Sequence, residues 1–466
     1  MIPVASTTVD LARIQFATTS LYHFLFVPLT LGLAPLVAVM QTIWRRTGDD
    51  AWLRLTHFFG TLLLINFAIG VATGLVQEFQ FGMNWSVYSK YVGNVFGAPL
   101  AIEGLAAFFL EATFLGLWIF GWDQLSPRLH LATIWLVTLG TWLSAYFILV
   151  ANSWMQYPVG YKIANGQAEL TSAWALISSP FAVWAFIHTI LVGLTTGSIF
   201  VFGISCWHLV RNRNQHLFRR AAKLALIVAV PISAANLWVG SHFGIYTTER
   251  QPMKIAATEA LWNTQQPASF SLFQIGGFSQ SDQTPSFSIE IPDLLSYLST
   301  GSLNGKVVGI NQLQHQETLK YGRGNYIPHV RTVYWAMRIM AYLGTLVFLV
   351  AATGAVFYRR GSLERRRWFL WAGVCTIPLP FIAALAGWVL TEVGRQPWIV
   401  DGLLKTSAAA SPSVSTPMLA GSLAVFVCLY IVLGVVDFVL MRRYARPDRD
   451  ITPGGREGAA VTPIAG

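Results

Sequence analysis

Charged side chains are scarce in this sequence: Asp, Glu, Lys and Arg supply 11% of its 466 residues, while 54% are hydrophobic and the mean hydropathy is positive. Soluble globular domains carry about 25% charged residues, so an ordinary water-soluble domain is excluded. Cysteine is nearly absent too. Cys206, Cys375 and Cys428 all fall in or at the end of apolar runs, which leaves no disulfide framework and no CxxC metal site, and they read as small buried hydrophobes. Ionisable groups inside the apolar runs are fewer still. Of nine histidines only His23 and His188 lie well within such runs, with Glu78, Glu103, Glu111, Glu392 and Asp437 inside or at the edges and one deep base, Arg338. An ionisable group in hydrocarbon costs about 2.5–3.5 kcal/mol on insertion scales, so each is a functional candidate.

What the sequence has is long apolar runs. Nine of them, near 14–44, 54–77, 95–121, 130–153, 180–210, 220–244, 329–358, 368–392 and 418–441, are long enough to span the hydrocarbon layer, which needs about 20 helical residues. They are continuously apolar, whereas barrel strands would alternate over roughly ten residues; the expected fold is an all-α, polytopic membrane protein. The first run is too long for a signal-peptide core and lacks a basic flank, so it reads as a mature helix. Arginine and lysine concentrate in the connections after helices 1, 3, 5, 7 and 9, and the positive-inside rule then puts the N-terminus outside and the C-terminus in the cytoplasm. The net charge of +10 is topology and lipid contact rather than a nucleic-acid surface. The chain divides into helices 1–6 (residues 1–244), a polar external loop (245–328), helices 7–9 (329–445) and a disordered cytoplasmic tail (446–466). A loop that long is more often functional than a mere connection.

Depth brings the rare polar groups together. Helices 1, 3, 5 and 7 enter from outside, so His23, Glu103, His188 and Met340 lie roughly 10–17 Å below that surface at ~1.5 Å per residue, with Trp388 and Glu392 of helix 8 at a similar or shallower level. Imidazole, thioether and carboxylate are axial ligand types that haem iron accepts. Two redox architectures are excluded. A bc-type cytochrome b pairs histidines thirteen or fourteen residues apart on each of two helices, but Val201 and Phe202 occupy those places after His188. A haem-copper oxidase core needs six intramembrane histidines.

The strings "YHFLFVPLTLG", "FAIGVATGLVQEFQFGMNW", "QPMKIAATEALW", "MRIM" and "GWVLTEVGRQPW" closely resemble subunit I of cytochrome bd-type quinol oxidase, over nearly the whole chain and in order. The resemblance implies a quinol-oxidising, oxygen-reducing subunit of the bacterial cytoplasmic membrane, with no proton pumping. It implies a low-spin b haem held by His188 and Met340 with Arg338 nearby, a high-spin b haem on Glu392, and haem d on His23 with Glu103 on its opposite side. Trp388 would bridge the haems, Arg13 would meet a propionate and Arg395 would help bind a haem. Glu103, Glu111 and Ser144 would carry protons from the cytoplasm. In the external loop, here the short form, Glu259 would take a quinol proton and Lys254 would donate to the ring oxygen. Implied partners are a second large membrane subunit, a single-helix accessory subunit, quinol, O2 and lipid.

Two other readings stand beside this one. A cyanide-insensitive relative would carry b haems only, and sequence does not separate it from the haem d form. A proton-coupled secondary transporter would use His23, Glu103 and Glu111, but transporters commonly show inverted repeats; no such repeat is visible, and nine helices do not divide evenly.

Overall fold

A computed structural model describes residues 6–446. The tail expected to be disordered lies, from residue 447 onward, outside the described residues. Among the described residues nine helices are long and apolar enough to cross a membrane, from Thr7–Thr47 to Thr416–Tyr444. Each covers one of the nine apolar runs to within one residue and extends beyond at least one end of it. Backbone N–H and C=O groups that enter hydrocarbon must be satisfied within the segment, so helix continues through the polar residues that flank each apolar stretch.

In chain order the elements are α1 (Ser6–His23), α2 (Val27–Thr47), α3 (Asp50–Asn84), α4 (Ser86–Ile102), a π-helical segment (Glu103–Phe108), α5 (Phe109–Phe120), α6 (Pro127–Gln156), a hairpin β1 (Tyr161–Ala164) and β2 (Gln167–Leu170), α7 (Ala173–Ile177), α8 (Pro180–Val210) and α9 (Gln215–Arg250). The polar segment follows, with α10 (Pro252–Thr258), an antiparallel hairpin β3 (Phe270–Gly276) and β4 (Pro285–Ile291), α11 (Leu294–Thr300) and α12 (Ile310–Tyr321). Then come α13 (Val330–Arg359), α14 (Arg367–Cys375), α15 (Pro378–Val393), β5 (Trp398–Val400), β6 (Leu404–Lys405) and α16 (Thr416–Tyr444). Three of the membrane-crossing stretches are interrupted where the sequence places proline at the start of the next helix, at Pro28, Pro180 and Pro378. Proline supplies no N–H but fits the first turn.

The main apolar core joins α2, α3, α8 and α9 around Leu33, Phe59, Phe202 and Phe218. Its tightest crossing is glycine on glycine. A Cβ on Gly32 would lie 1.9 Å from the Gly193 carbonyl oxygen and 2.9 Å from the Gly197 nitrogen, so a small-xxx-small pair on α8 receives α2 at backbone contact. Gly32→Ala is therefore expected to cost about 1–3 kcal/mol, read as a lowered midpoint of thermal unfolding followed by tryptophan fluorescence. Of the cysteines only Cys206 is buried; Cys375 and Cys428, expected inside, are exposed. The correction has a simple cause: a helix face turned to lipid is as apolar as one turned to protein, so hydropathy does not predict burial within the fold.

Candidate functional site

His23 closes α1, and the next three residues form turns rather than helix, with Leu25 N–H bonded to Tyr22 O and Phe26 N–H to His23 O. The imidazole is held from α3. His23 Nδ1 lies 3.0 Å from Thr73 Oγ1, and that hydroxyl lies 3.0 Å from Ile69 O and 2.9 Å from Gly70 O. A threonine hydroxyl has one proton, which goes to the carbonyls, so it accepts from Nδ1–H and leaves His23 Nε2 as the lone-pair nitrogen. A Cβ on Gly74 would stand 3.1 Å from His23 Cε1. The neighbouring Phe24 stacks on Trp388 of α15 with ring centroids 5.1 Å apart, which brings Trp388 to the turn that follows His23.

The two carboxyls of the third membrane-crossing stretch face α6. Ser144 Oγ donates to Glu103 Oε1 at 2.7 Å. One turn earlier on α6, a Cβ on Gly140 would lie 2.9 Å from Glu111 Cβ, so the backbones of α5 and α6 meet there and bury Glu111. The π-helical segment Glu103–Phe108 separates the two acids. Such segments widen a helix locally and recur at functional sites.

His188 on α8 is half-buried against α9: a Cβ on Gly240 would lie 3.3 Å from its Cε1, and Phe243 is its ring neighbour. Its Nδ1 is buried and has no hydrogen-bond partner among the described residues. Met340 on α13 meets α15, where a Cβ on Gly387 would lie 2.8 Å from the Met340 sulfur. Two residues away, Arg338 is 1% exposed and faces the polar segment. Its Nη2 pairs with Glu259 Oε2 at 2.7 Å, its guanidinium also bonds the Thr258 and Ser271 carbonyls, and Tyr334 lies beneath it with the ring centroid 3.7 Å from Cζ. Burial pushes the Glu259 carboxyl up, against the pull of Arg338.

The last turn of α6 organises the remaining groups. Asn152 Nδ2 donates to Glu392 Oε1 at 2.8 Å, and Lys254 Nζ donates to Gln156 Oε1 at 2.6 Å. The other Glu392 oxygen pairs with Arg395, which also donates to Ile399 O at 2.8 Å. Burial lowers Lys254 to about 7, while nearby Glu392 pulls it the other way. Asp401, whose N–H donates to Met155 O at 2.9 Å, is raised by burial to about 6, and Glu317, which accepts from Trp398 Nε1 at 3.4 Å, is raised by burial to about 7. Arg13 stands apart, paired with Asp10 at 3.6 Å on an exposed face of α1.

The family model described as cytochrome bd terminal oxidase subunit I matches residues 11–449. The chain belongs to that family. It is 45% identical, over 93% of its length and 92% of the relative's, to the cytochrome bd ubiquinol oxidase subunit 1 of Bacillus subtilis (strain 168). It is 38% identical, over 94% and 96%, to the cytochrome bd-II ubiquinol oxidase subunit 1 of Escherichia coli (strain K12). Among solved structures it matches the bd oxidase from Geobacillus thermodenitrificans with a TM-score of 0.86 and 28% identity, covering 95% of this chain and 99% of that one. The chain is therefore a multi-pass membrane protein of the cytochrome bd terminal oxidase subunit I family, and the family implies haem.

The residues of this cytochrome bd subunit fit haem. A buried imidazole nitrogen without a protein partner is costly unless something else binds it, which describes His188 Nδ1; His23 Nε2 is freed by Thr73; and each of His23, His188 and Met340 faces a glycine across a helix contact. Thr73, Asn152, Gln156, Asp401 and Glu317 are site neighbours that sequence reasoning did not single out. Asn152 and Gln156 carried a signal, since amides at the end of an apolar run need partners.

Proposed function

We propose that this chain is the haem-bearing subunit of a terminal respiratory oxidase that oxidises a membrane quinol and reduces O2 to water, in a bacterial cytoplasmic membrane. The observation that carries the reading is the partnerless, buried His188 Nδ1 in a chain of this family. His188 and Met340 would hold a low-spin b haem, Glu392 a high-spin b haem and His23 haem d, with Arg13 near a propionate, Arg395 helping to bind a haem and Trp388 between sites. When bound, the haems supply one-electron carriers and the iron at which oxygen is reduced.

The chain's own residues do the rest. Glu259 takes a proton from the quinol hydroxyl, and its carboxyl, raised by burial, is a stronger base than a solvated one. Lys254 donates to the ring oxygen. Glu103, Ser144 and Glu111 line up along α6 to deliver protons for water formation from the opposite side, so quinol protons leave on one face and are taken up on the other without pumping. The N-terminus and the polar segment would face outward. The relatives are named as subunit 1 of their oxidases, which supports a second large membrane subunit as partner here, with a single-helix accessory subunit beside it.

A reduced-minus-oxidised visible spectrum of the purified complex tests the reading: b-type bands with a far-red chlorin band are expected. No haem bands would end it, and a missing far-red band would place a b haem on His23. The pH dependence gives a second check. Lys254 is a cation below about 7 and a neutral amine above it, whereas Lys254→Met has no titrating group. The variant should lose the decline in quinol kcat/KM that loss of the ammonium donor imposes as pH rises through about 7, whereas Glu317→Gln, which removes the other group titrating there, should keep it, measured by quinol oxidation across that range.

A further inference from the structure

The β3–β4 hairpin has one apolar face and one polar face. Phe273 stands opposite Ile289 and Ile275 opposite Phe287, and residues opposed across strands share a face. These four side chains are 38–54% exposed. On the other face Ser271 and Gln274 of β3 are buried against the protein, while Ser288 and Glu290 of β4 are exposed. An aromatic and aliphatic ribbon face open to water would be an unusual surface for a polar segment.

The height of the hairpin explains it. Phe273 packs edge-on against Trp335 with centroids 5.4 Å apart, and Tyr342 hydroxyl donates to Leu272 O. Trp335 and Tyr342 lie roughly 8 and 18 Å down α13 from Val330 at ~1.5 Å per residue. A 30-residue helix exceeds a hydrocarbon layer of about 30 Å by roughly 15 Å, so with that excess shared between its ends Trp335 sits at the headgroup boundary, where Trp and Tyr concentrate, and Tyr342 lies roughly 10 Å inside it. Below the hairpin, Ile339, Tyr342, Leu346 and Leu349 form one stripe of α13 at spacings of three and four, all exposed. Tyr342 joins the two, since it belongs to the stripe and bonds the strand next to Phe273. We propose that the apolar face of the hairpin, Phe273, Ile275, Phe287 and Ile289, is embedded among the acyl chains of the adjoining leaflet.

The strand that meets lipid on one face reaches the candidate quinol site with the other. Ser271 O accepts from Arg338 Nε at 3.2 Å, and the Ser271 hydroxyl lies 2.7 Å from the Tyr334 hydroxyl. A lipid-dissolved quinol therefore approaches the Arg338–Glu259 pair along the hairpin without crossing water; this consequence rests on the quinol reading, whereas the embedding does not.

The test uses the full complex in lipid nanodiscs, with Cys375 and Cys428 replaced by serine and single cysteines carrying a fluorophore. Labels at Phe287→Cys and Ile289→Cys should lose most of their emission when the acyl chains are brominated, while Ser288→Cys and Glu290→Cys keep theirs. Nitroxides at the same positions give a second measurement: the first pair should be relaxed by dissolved oxygen and the second by a water-soluble nickel complex. Equal behaviour of both pairs overturns the embedding. So does protection of Phe287→Cys and Ile289→Cys from lipid, oxygen and nickel alike, which would assign the face to another protein subunit. Neither readout depends on turnover, so a failed quinol reading would not be mistaken for a failed embedding.

Discussion

His188→Ala and Met340→Leu should each remove the low-spin b-haem band and abolish quinol oxidation. His188 carries the buried Nδ1 that no described residue satisfies, and alanine takes away both ring nitrogens. Met340→Leu is the sharper test. The two side chains are close in volume, and such swaps usually cost less than about 1.5 kcal/mol, so the contact with α15 at Gly387 persists while the sulfur lone pair is lost. The measurement is the reduced-minus-oxidised spectrum of each variant beside its quinol turnover and its thermal midpoint. A normal low-spin band with full activity in both variants would refute the ligand pair.

For Glu259→Gln, quinol oxidation should fall about 100-fold or more, the usual contribution of a positioned base, while an artificial reductant that feeds the haems directly still supports oxygen consumption. The structure adds a second effect. Glu259 is the charge partner of a guanidinium that is 1% exposed, and breaking a buried pair from one side costs about 3–5 kcal/mol. Part of the loss could then be structural, and the double variant Glu259→Leu with Arg338→Leu separates the two. Replacing both partners with apolar groups is often neutral or stabilising, so the thermal midpoint should recover whereas quinol oxidation should not. Recovery of both would make the pair a structural strut and place quinol deprotonation on another residue.

The order and number of membrane-crossing segments were legible in the sequence because the requirement behind them is local: about 20 apolar residues cross the hydrocarbon layer, and each must satisfy its own backbone as helix. The rare polar residues were legible for the same reason, since their cost in hydrocarbon marks them one at a time. The strings around His23, Lys254, Arg338 and Glu392 carried the family, which the match over residues 11–449 established. The partners of those residues were not legible. Apolar composition leaves the rotation and depth of each helix open, because faces toward lipid and faces toward protein read alike, as exposed Cys375 and Cys428 demonstrate. Only the packed structure sets Thr73 against His23, closes Ser144 on Glu103, brings Asn152 and Gln156 at the end of α6 to Glu392 and Lys254, and couples Glu259 to Arg338 across 79 residues of sequence. Each of these bonds joins separate elements of the chain, and contacts between elements are fixed by side-chain fit at crossings such as Gly32 on Gly193, which no single segment encodes.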